Sequence, residues 1–240
     1  MKKSTPAQWA LRVVIYIVGL FFMAMGVAFS VNSNLGVSPV TSLPYVISLV
    51  TGSALSTCVI AVFCAYIVLQ ILILRREFRI INLTQIIFST IFGYFSDFAK
   101  WLLGDFALPT YAGQLAMLVI SFLLLALGVF LYMEVDLVAM PMEGFTMAIA
   151  HKLGRPFHNV KVVVDCSAVV LSILVSLVFL HGLLGIREGT VITAIVVGRI
   201  MAVIRKPLQP VVQRLCFGAV GPEPEEVREM EELEGMDVGE

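Results

Sequence analysis

Charge is what this 240-residue chain has least of. Charged residues make up 14% against 59% hydrophobic, and none occurs in the 62 positions between Arg12 and Arg75. Mean hydropathy is +0.97. That balance is far from the soluble norm and argues against a water-soluble globular fold. Histidine is scarce, at three residues; the four cysteines (Cys58, Cys64, Cys166, Cys216) form no CxxC and have no histidine partners at ligand spacing. A zinc site or a disulfide framework is therefore not expected, and the thiols read as packing residues. No metal or cofactor is implied. GxSxG, HExxH and the P-loop are also missing, so the chain does not read as an enzyme. No basic-aromatic surface points to nucleic acid.

What the chain does have is long apolar runs. Several reach the roughly 20 residues that a helix needs to cross a bilayer, which makes this an all-α, multi-pass membrane protein with lipid as its first partner. The run from Val13 to Val31 is too long for a signal-peptide core and reads as a retained helix.

The chain also repeats itself. Residues 24–47 and 126–149 align without a gap at an offset of 102. Ala24, Gly26, Val27, Leu35, Pro39 and Ile47 match Ala126, Gly128, Val129, Leu137, Pro141 and Ile149, and Asn34 falls on Asp136. In each copy a long apolar run ends in a polar turn, followed by Leu and a short, Pro-headed apolar segment. Duplicated units with a short broken segment are a mark of many transporters.

Runs between charges and turns predict helices over 11–31, 54–74, 83–103, 114–133, 162–180 and 190–204, with short segments at 39–50 and 141–150. The segment over 37–50 spans about 21 Å at 1.5 Å per residue, less than the roughly 30 Å of a bilayer core. Both short segments therefore read as re-entrant half-helices, leaving six transmembrane helices. With a cytoplasmic N-terminus (1–10), six spans put Arg75–Arg79, His151–Lys161 and the C-terminal basic residues inside, as the positive-inside rule prefers. Three spans per unit make the units, 11–103 and 114–208, an inverted repeat with both termini cytoplasmic. The stretch Gly221–Glu240 carries nine acidic residues and one Arg, leaving a body of net +7. It is expected to be a solvated, disordered tail, with a docking role as the alternative.

The short segments hold the candidate site. Ser38 before Pro39 is a favourable N-cap with Pro at the first helical position. A helix start inside the membrane offers unpaired N–H groups and partial positive charge to a polar or anionic group. Asn34, Ser38, Thr41 and Ser42 are the binding candidates of the first copy, although their hydroxyls could equally satisfy one another. In the second copy, Met140 at the Ser38 position is a further binding candidate, and Glu134, Asp136 and Glu143 replace Asn32, Asn34 and Thr41. A carboxylate inside the membrane is a functional hypothesis by default. Glu143 is expected to bind and to couple transport to a proton; Glu134 and Asp136 are expected to be solvated at the interface. Asp165 is a second coupling candidate, although Lys161 four residues earlier could pair with it locally. Arg199 is expected to receive an anion or pair with Glu143 or Asp165. Gly93 and Gly198 are expected to permit close helix approach, with Pro39 and Pro141 as structural residues. Gln85, Ser89 and Thr90 are candidate cavity residues, and Asp97 and Lys100 are expected to be solvated.

The run Asn34-Leu35-Gly36-Val37-Ser38-Pro39 with Thr41-Ser42-Leu43-Pro44, and the second-half run from Gly128 to Gly144, resemble the YczE/YyaS/YitT-like integral membrane proteins of bacteria. The resemblance covers about 11–208 and implies a multi-pass inner-membrane protein, with no substrate attached. The sequence thus leads to a secondary transporter of a small polar or anionic solute. An aquaporin-like channel, or a substrate-binding or scaffold subunit of a larger complex, is the alternative. A homodimer, or a protein partner held through the acidic tail, is a further expectation.

Overall fold

The computed structural model describes residues 6–217, and among them all regular secondary structure is helical. The acidic stretch Gly221–Glu240 lies outside the described residues. Eight helices follow in order: α1 (Pro6–Ser33), α2 (Pro39–Thr51), α3 (Leu55–Leu74), α4 (Gln85–Leu103), α5 (Tyr111–Glu134), α6 (Pro141–Leu153), α7 (Phe157–Leu180) and α8 (Glu188–Phe217), with short 3-10 turns at Arg75–Glu77 and Ile80–Thr84. Five stretches are long and apolar enough to cross a membrane: Pro6–Ser33, Leu55–Glu77, Ile80–Leu103, Tyr111–Glu134 and Asn159–Leu180. The expected sixth is α8. It has the length, at 30 residues, but carries Arg199, Arg205 and Lys206 along it.

The two short segments are as expected, each a helix of 13 residues with Pro at its start, or about 20 Å. Each is entered through a residue at positive φ, Asn34 at 56° and Asp136 at 51°. Asn and Asp are the side chains that best tolerate this left-handed region. Each is closed by a left-handed glycine, Gly52 or Gly154. Both pairs stand 102 residues apart.

The last helix departs most from expectation. It continues past Ile204 through Pro207 and Pro210 to Phe217. Proline removes a backbone donor and normally ends a helix, but packing holds this one together. Val212, Gln213 and Cys216 are buried, and the Phe217 ring lies 4.9 Å under the Arg12 guanidinium.

The centre of the fold is the crossing of α1 and α5, which run antiparallel. Arg12 Nε donates to Val135 O at 2.7 Å, its Nη2 donates to Asp136 O, and Tyr16 Oη donates to Val138 O at 2.9 Å. At the opposite edge Asn32 Nδ2 donates to Gly104 O and Phe106 O, at 3.0 and 3.1 Å. Midway, the helices touch through glycines. A Cβ on Gly26 would lie 3.1 Å from Ser121 O and 2.8 Å from Leu125 Cγ; one on Gly128 would lie 2.6 Å from both Gly19 O and Met23 Cγ. Such small-residue contacts matter because lipid supplies no hydrophobic drive between helices, and van der Waals packing must hold them. Gly19 and Met23 stand 102 positions before Ser121 and Leu125, so each glycine meets the residues equivalent to those its twin meets. Tyr16, Leu20, Ala24, Phe63, Phe92 and Phe130 complete the central core.

The remaining helices pack around this pair, α4 on α1 and α8 on α5. The start of α8 covers the turn before α2, with Gly189 N donating to Leu35 O at 2.8 Å and Val37 N to Gly185 O at 3.0 Å. The start of α4 covers the turn before α6 through Gln85, which meets Gln70 at 3.1 Å while Gln70 donates to Pro141 O at 2.9 Å. The turn before α2 therefore lies at the Asn34 edge, where α3 also begins beside the later part of α4: Ser56 N donates to Asp97 Oδ1 at 3.1 Å. Asp97 is thus a partner for the start of α3 and not the solvated residue expected. The turn before α6 lies at the Arg12 edge, and His151, near the end of α6, approaches Glu77 just past α3 at 3.4 Å.

Candidate functional site

Four helices enclose a cavity of about 920 Å³: α2 and α3 from the first unit, α6 and α7 from the second. Its walls are nearly all apolar. Fourteen of its lining residues form pairs at the offset of 102: Leu43 with Phe145, Ile47 with Ile149, Ala61 with Val163, Val62 with Val164, Ala65 with Ser167, Tyr66 with Ala168, and Leu69 with Leu171. The other lining residues, Leu153, Arg155, Asn159 and Val160, all belong to the second unit, where α6 gives way to α7. The sequence signal for α3 and α7 was available. The ungapped alignment continues beyond Ile149, with Val62/Val164 and Leu69/Leu171 as further identities.

Beside the cavity the second unit builds a charged group. Lys161 Nζ lies 2.8 Å from Asp165 Oδ1 and 3.9 Å from Glu143 Oε1. All three side chains are largely buried, at 23%, 16% and 13% exposed. The Asp165 contact is the local pair that a four-residue spacing allows. The Glu143 contact joins α6 to α7 and has no signal in sequence spacing. Glu143 Oε2 is buried and has no hydrogen-bond partner. Tyr66, a cavity residue, stacks on Phe145 at 5.4 Å and stands within electrostatic range of Asp165 and Glu143. Two carboxylates on one ammonium leave the group short of one positive charge. That arrangement can take up a proton or a second cation without breaking the Lys161–Asp165 contact.

The first unit has no such group at the matching positions, which are Thr41, Val59 and Phe63. Its hydroxyls satisfy one another. Ser38 makes no capping bond to the helix start; its Oγ pairs with Thr41 Oγ1 at 3.0 Å. Ser42 Oγ donates to Pro39 O at 2.8 Å and meets Ser172 Oγ at 3.0 Å. Asn34 is exposed, and its carbonyl accepts from Arg187 Nη1 at 3.1 Å. Met140 is buried against Tyr16, with Tyr16 Oη 3.8 Å from its sulfur. The two helix starts make little contact with each other. Each is packed on the third helix of the other unit: Ser42 on α7 through Ser172, and Gly144 on α3, where a Cβ would lie 2.8 Å from Gln70 Oε1.

Four expectations need correction. Arg199 is exposed on α8 and makes no contact with Glu143 or Asp165. Gly198 beside it has open space where a side chain would stand, whereas a Cβ on Gly93 would lie 3.2 Å from Ser56 O. Both follow from the face of α8 that turns inward, which carries Gly189, Thr190 and Thr193. Glu134 is 1% exposed, not solvated. Gln213 Nε2 donates to its Oε1 at 2.7 Å, and Arg205 Nε stands 3.5 Å from its Oε2. Gln85 is spent on Gln70, and Thr90 on the carbonyl of Ile86. Neither these two nor Ser89 lines the cavity.

The chain is 29% identical over 202 residues to the "Uncharacterized membrane protein YczE" of Bacillus subtilis (strain 168), covering 84% of this chain and 86% of that protein. No solved structure matches. The resemblance drawn from the Asn34–Pro44 motif is thereby borne out. Residues 10–206 match the model of the "Family of unknown function (DUF6198)", and the chain belongs to that family of YczE-like membrane proteins.

Proposed function

We propose that this protein is a secondary transporter that moves an anionic solute through the cavity between α2, α3, α6 and α7. One observation carries the proposal: the cavity is walled by seven residue pairs at a single offset, one member from each unit. Substrate sites at the interface between repeats are the rule in transporters built from inverted units. The reciprocal contacts of Gly26 and Gly128 support an inverted repeat, because antiparallel α1 and α5 exchange equivalent residues. So does the return of α2 and α6 to the edge each starts from. With α8 as the sixth crossing, each unit has three spans, and α1 begins and α8 ends at the Arg12 edge. That edge holds Arg75, Arg76, Lys152 and Arg155, and the positive-inside rule makes it cytoplasmic.

Transport then proceeds by rocking one set of helices against the other, so that the cavity opens to each face in turn. Glu143, Lys161 and Asp165 are the coupling element. A proton on Glu143 weakens its hold on Lys161 and with it the tie between α6 and α7. The channel reading gains no support, since apolar walls offer water and ions no row of polar partners.

The test uses single cysteines at Ile47 and Ile149 in a cysteine-free background, with an impermeant maleimide applied to right-side-out and inverted vesicles. Alternating access gives labelling of both positions from both faces. It also makes Glu143→Gln shift the balance of the two positions in opposite senses. Labelling of both positions from one face only, unchanged by Glu143→Gln, would overturn the proposal.

A further inference from the structure

The cavity's chemistry narrows the substrate. Its polar wall atoms are few, and Ser167 Oγ is already spent, donating to Val163 O at 2.7 Å. A small polar solute entering here would leave its water and find almost no hydrogen-bond partners, which disfavours it strongly. The volume, about 920 Å³, sits at the upper end of the roughly 300–1,000 Å³ typical of ligand pockets. Leu69, Val163 and Leu171 in the wall are themselves exposed. The cavity therefore opens sideways between α3 and α7, towards the bilayer.

Besides Ser167 and the Tyr66 hydroxyl, the polar wall residues are Arg155 and Asn159, which stand where α6 turns into α7. Arg155 is exposed, and no carboxylate among the described residues pairs with it. Aliphatic walls with one guanidinium at the rim fit a particular shape of molecule. Resting on the transporter reading above, we infer that the substrate is a single-chain amphiphile. Its aliphatic body fills the cavity from the bilayer side, and its one anionic head, carboxylate or phosphate, pairs with Arg155. Guanidinium binds both heads through parallel hydrogen bonds, and keeps its charge throughout the accessible pH range.

The experiment measures binding of 11-(dansylamino)undecanoic acid to the full-length protein in phosphatidylcholine nanodiscs. Saturable fluorescence enhancement is expected, above that of empty nanodiscs. Arg155→Gln should weaken it about tenfold or more, the loss expected for one charge-assisted contact. Arg155→Lys keeps the charge and loses the paired hydrogen bonds, so its loss should be smaller than that of Arg155→Gln, and Lys100→Gln, at a distant exposed site, should leave binding unchanged. Ala65→Trp fills the cavity and should abolish it. Arg155→Glu changes only an exposed side chain and provides the same answer if Ala65→Trp does not fold. Displacement by laurate identifies a carboxylate head, and displacement by dodecyl phosphate identifies a phosphate head; either supports the inference. Equal displacement by dodecyltrimethylammonium, or displacement by succinate or inorganic phosphate but not by laurate, overturns it. Probe binding indifferent to both Arg155→Glu and Ala65→Trp overturns it as well. Amphiphile binding without flux in liposomes removes the transporter reading alone. Flux of a small polar solute by a protein that binds no amphiphile removes this inference alone.

Discussion

The two units share a backbone plan and differ in what they bury at its equivalent points. Asn32 in the first unit closes the end of α1 by donating to two loop carbonyls, and it needs no charge. Its counterpart Glu134 is 1% exposed and is held by Arg205 and Gln213 from α8. Thr41 pairs with a neighbouring serine, while its counterpart Glu143 reaches a lysine on another helix. At these positions the first unit is satisfied by neutral hydrogen bonds and the second by charges shared between helices. Neutral contacts cost less to break. Charges shared between helices cost more to bury and respond as a group when one of them changes.

The largest effect is expected at the ends of α1 and α5. Glu134→Ala leaves the buried Gln213 amide and the partly buried Arg205 guanidinium without their carboxylate and should cost about 3–5 kcal/mol. Asn32→Ala should cost about 1 kcal/mol. Thermal unfolding in detergent, followed by size-exclusion recovery, compares the two; equal losses would erase the contrast between the units. Next come the glycines of the α1–α5 crossing. Gly26→Leu and Gly128→Leu should each cost about 3 kcal/mol, since overpacking here strikes backbone as well as side chains. Similar losses from both would sharpen the equivalence of the two contacts, and one tolerant site would break it.

A smaller effect on folding is expected at Glu143. Its contact with Lys161 is long, at 3.9 Å, and one of its oxygens has no partner. Glu143→Gln should therefore change stability by less than about 1 kcal/mol, while abolishing the pH dependence of cysteine accessibility at Ile149. The matching Thr41→Val should leave that dependence intact. The smallest effect belongs to Arg199→Gln. This side chain is exposed and off the cavity, so stability should move by no more than about 0.5 kcal/mol. A loss like that of Arg205→Gln would mean α8 is oriented differently.

Much of this plan was legible before any coordinates. Pro39, Pro141 and the turns at Asn34 and Asp136 marked both short helices, because proline and left-handed residues punctuate a chain locally. The helix positions followed from apolar length. What remained hidden depended on facing direction. Arg199 lies mid-run, and an apolar helix with hydrophobic side chains all round does not reveal which side turns inward. Lys161 looked like half of a local pair with Asp165, and only the packing of α6 on α7 adds Glu143. Glu134 looked solvated because α8 was expected to stop at Ile204, short of Gln213. The cavity was hidden for a different reason. Its walls are ordinary aliphatic residues, and only their pairing at one offset sets them apart.

The grip of Arg12 on the end of α5 also bears on how the protein is made. Arg12 is 9% exposed, and its carbonyl partner Val135 lies 123 residues further along the chain. At ribosomal rates of roughly 5–20 residues per second, the partner emerges about 6–25 s later. During that interval the first helix holds an arginine with nowhere to go in the bilayer except towards a headgroup. The nascent first unit is therefore an unfinished product, and its first helix settles only once the second unit is inserted.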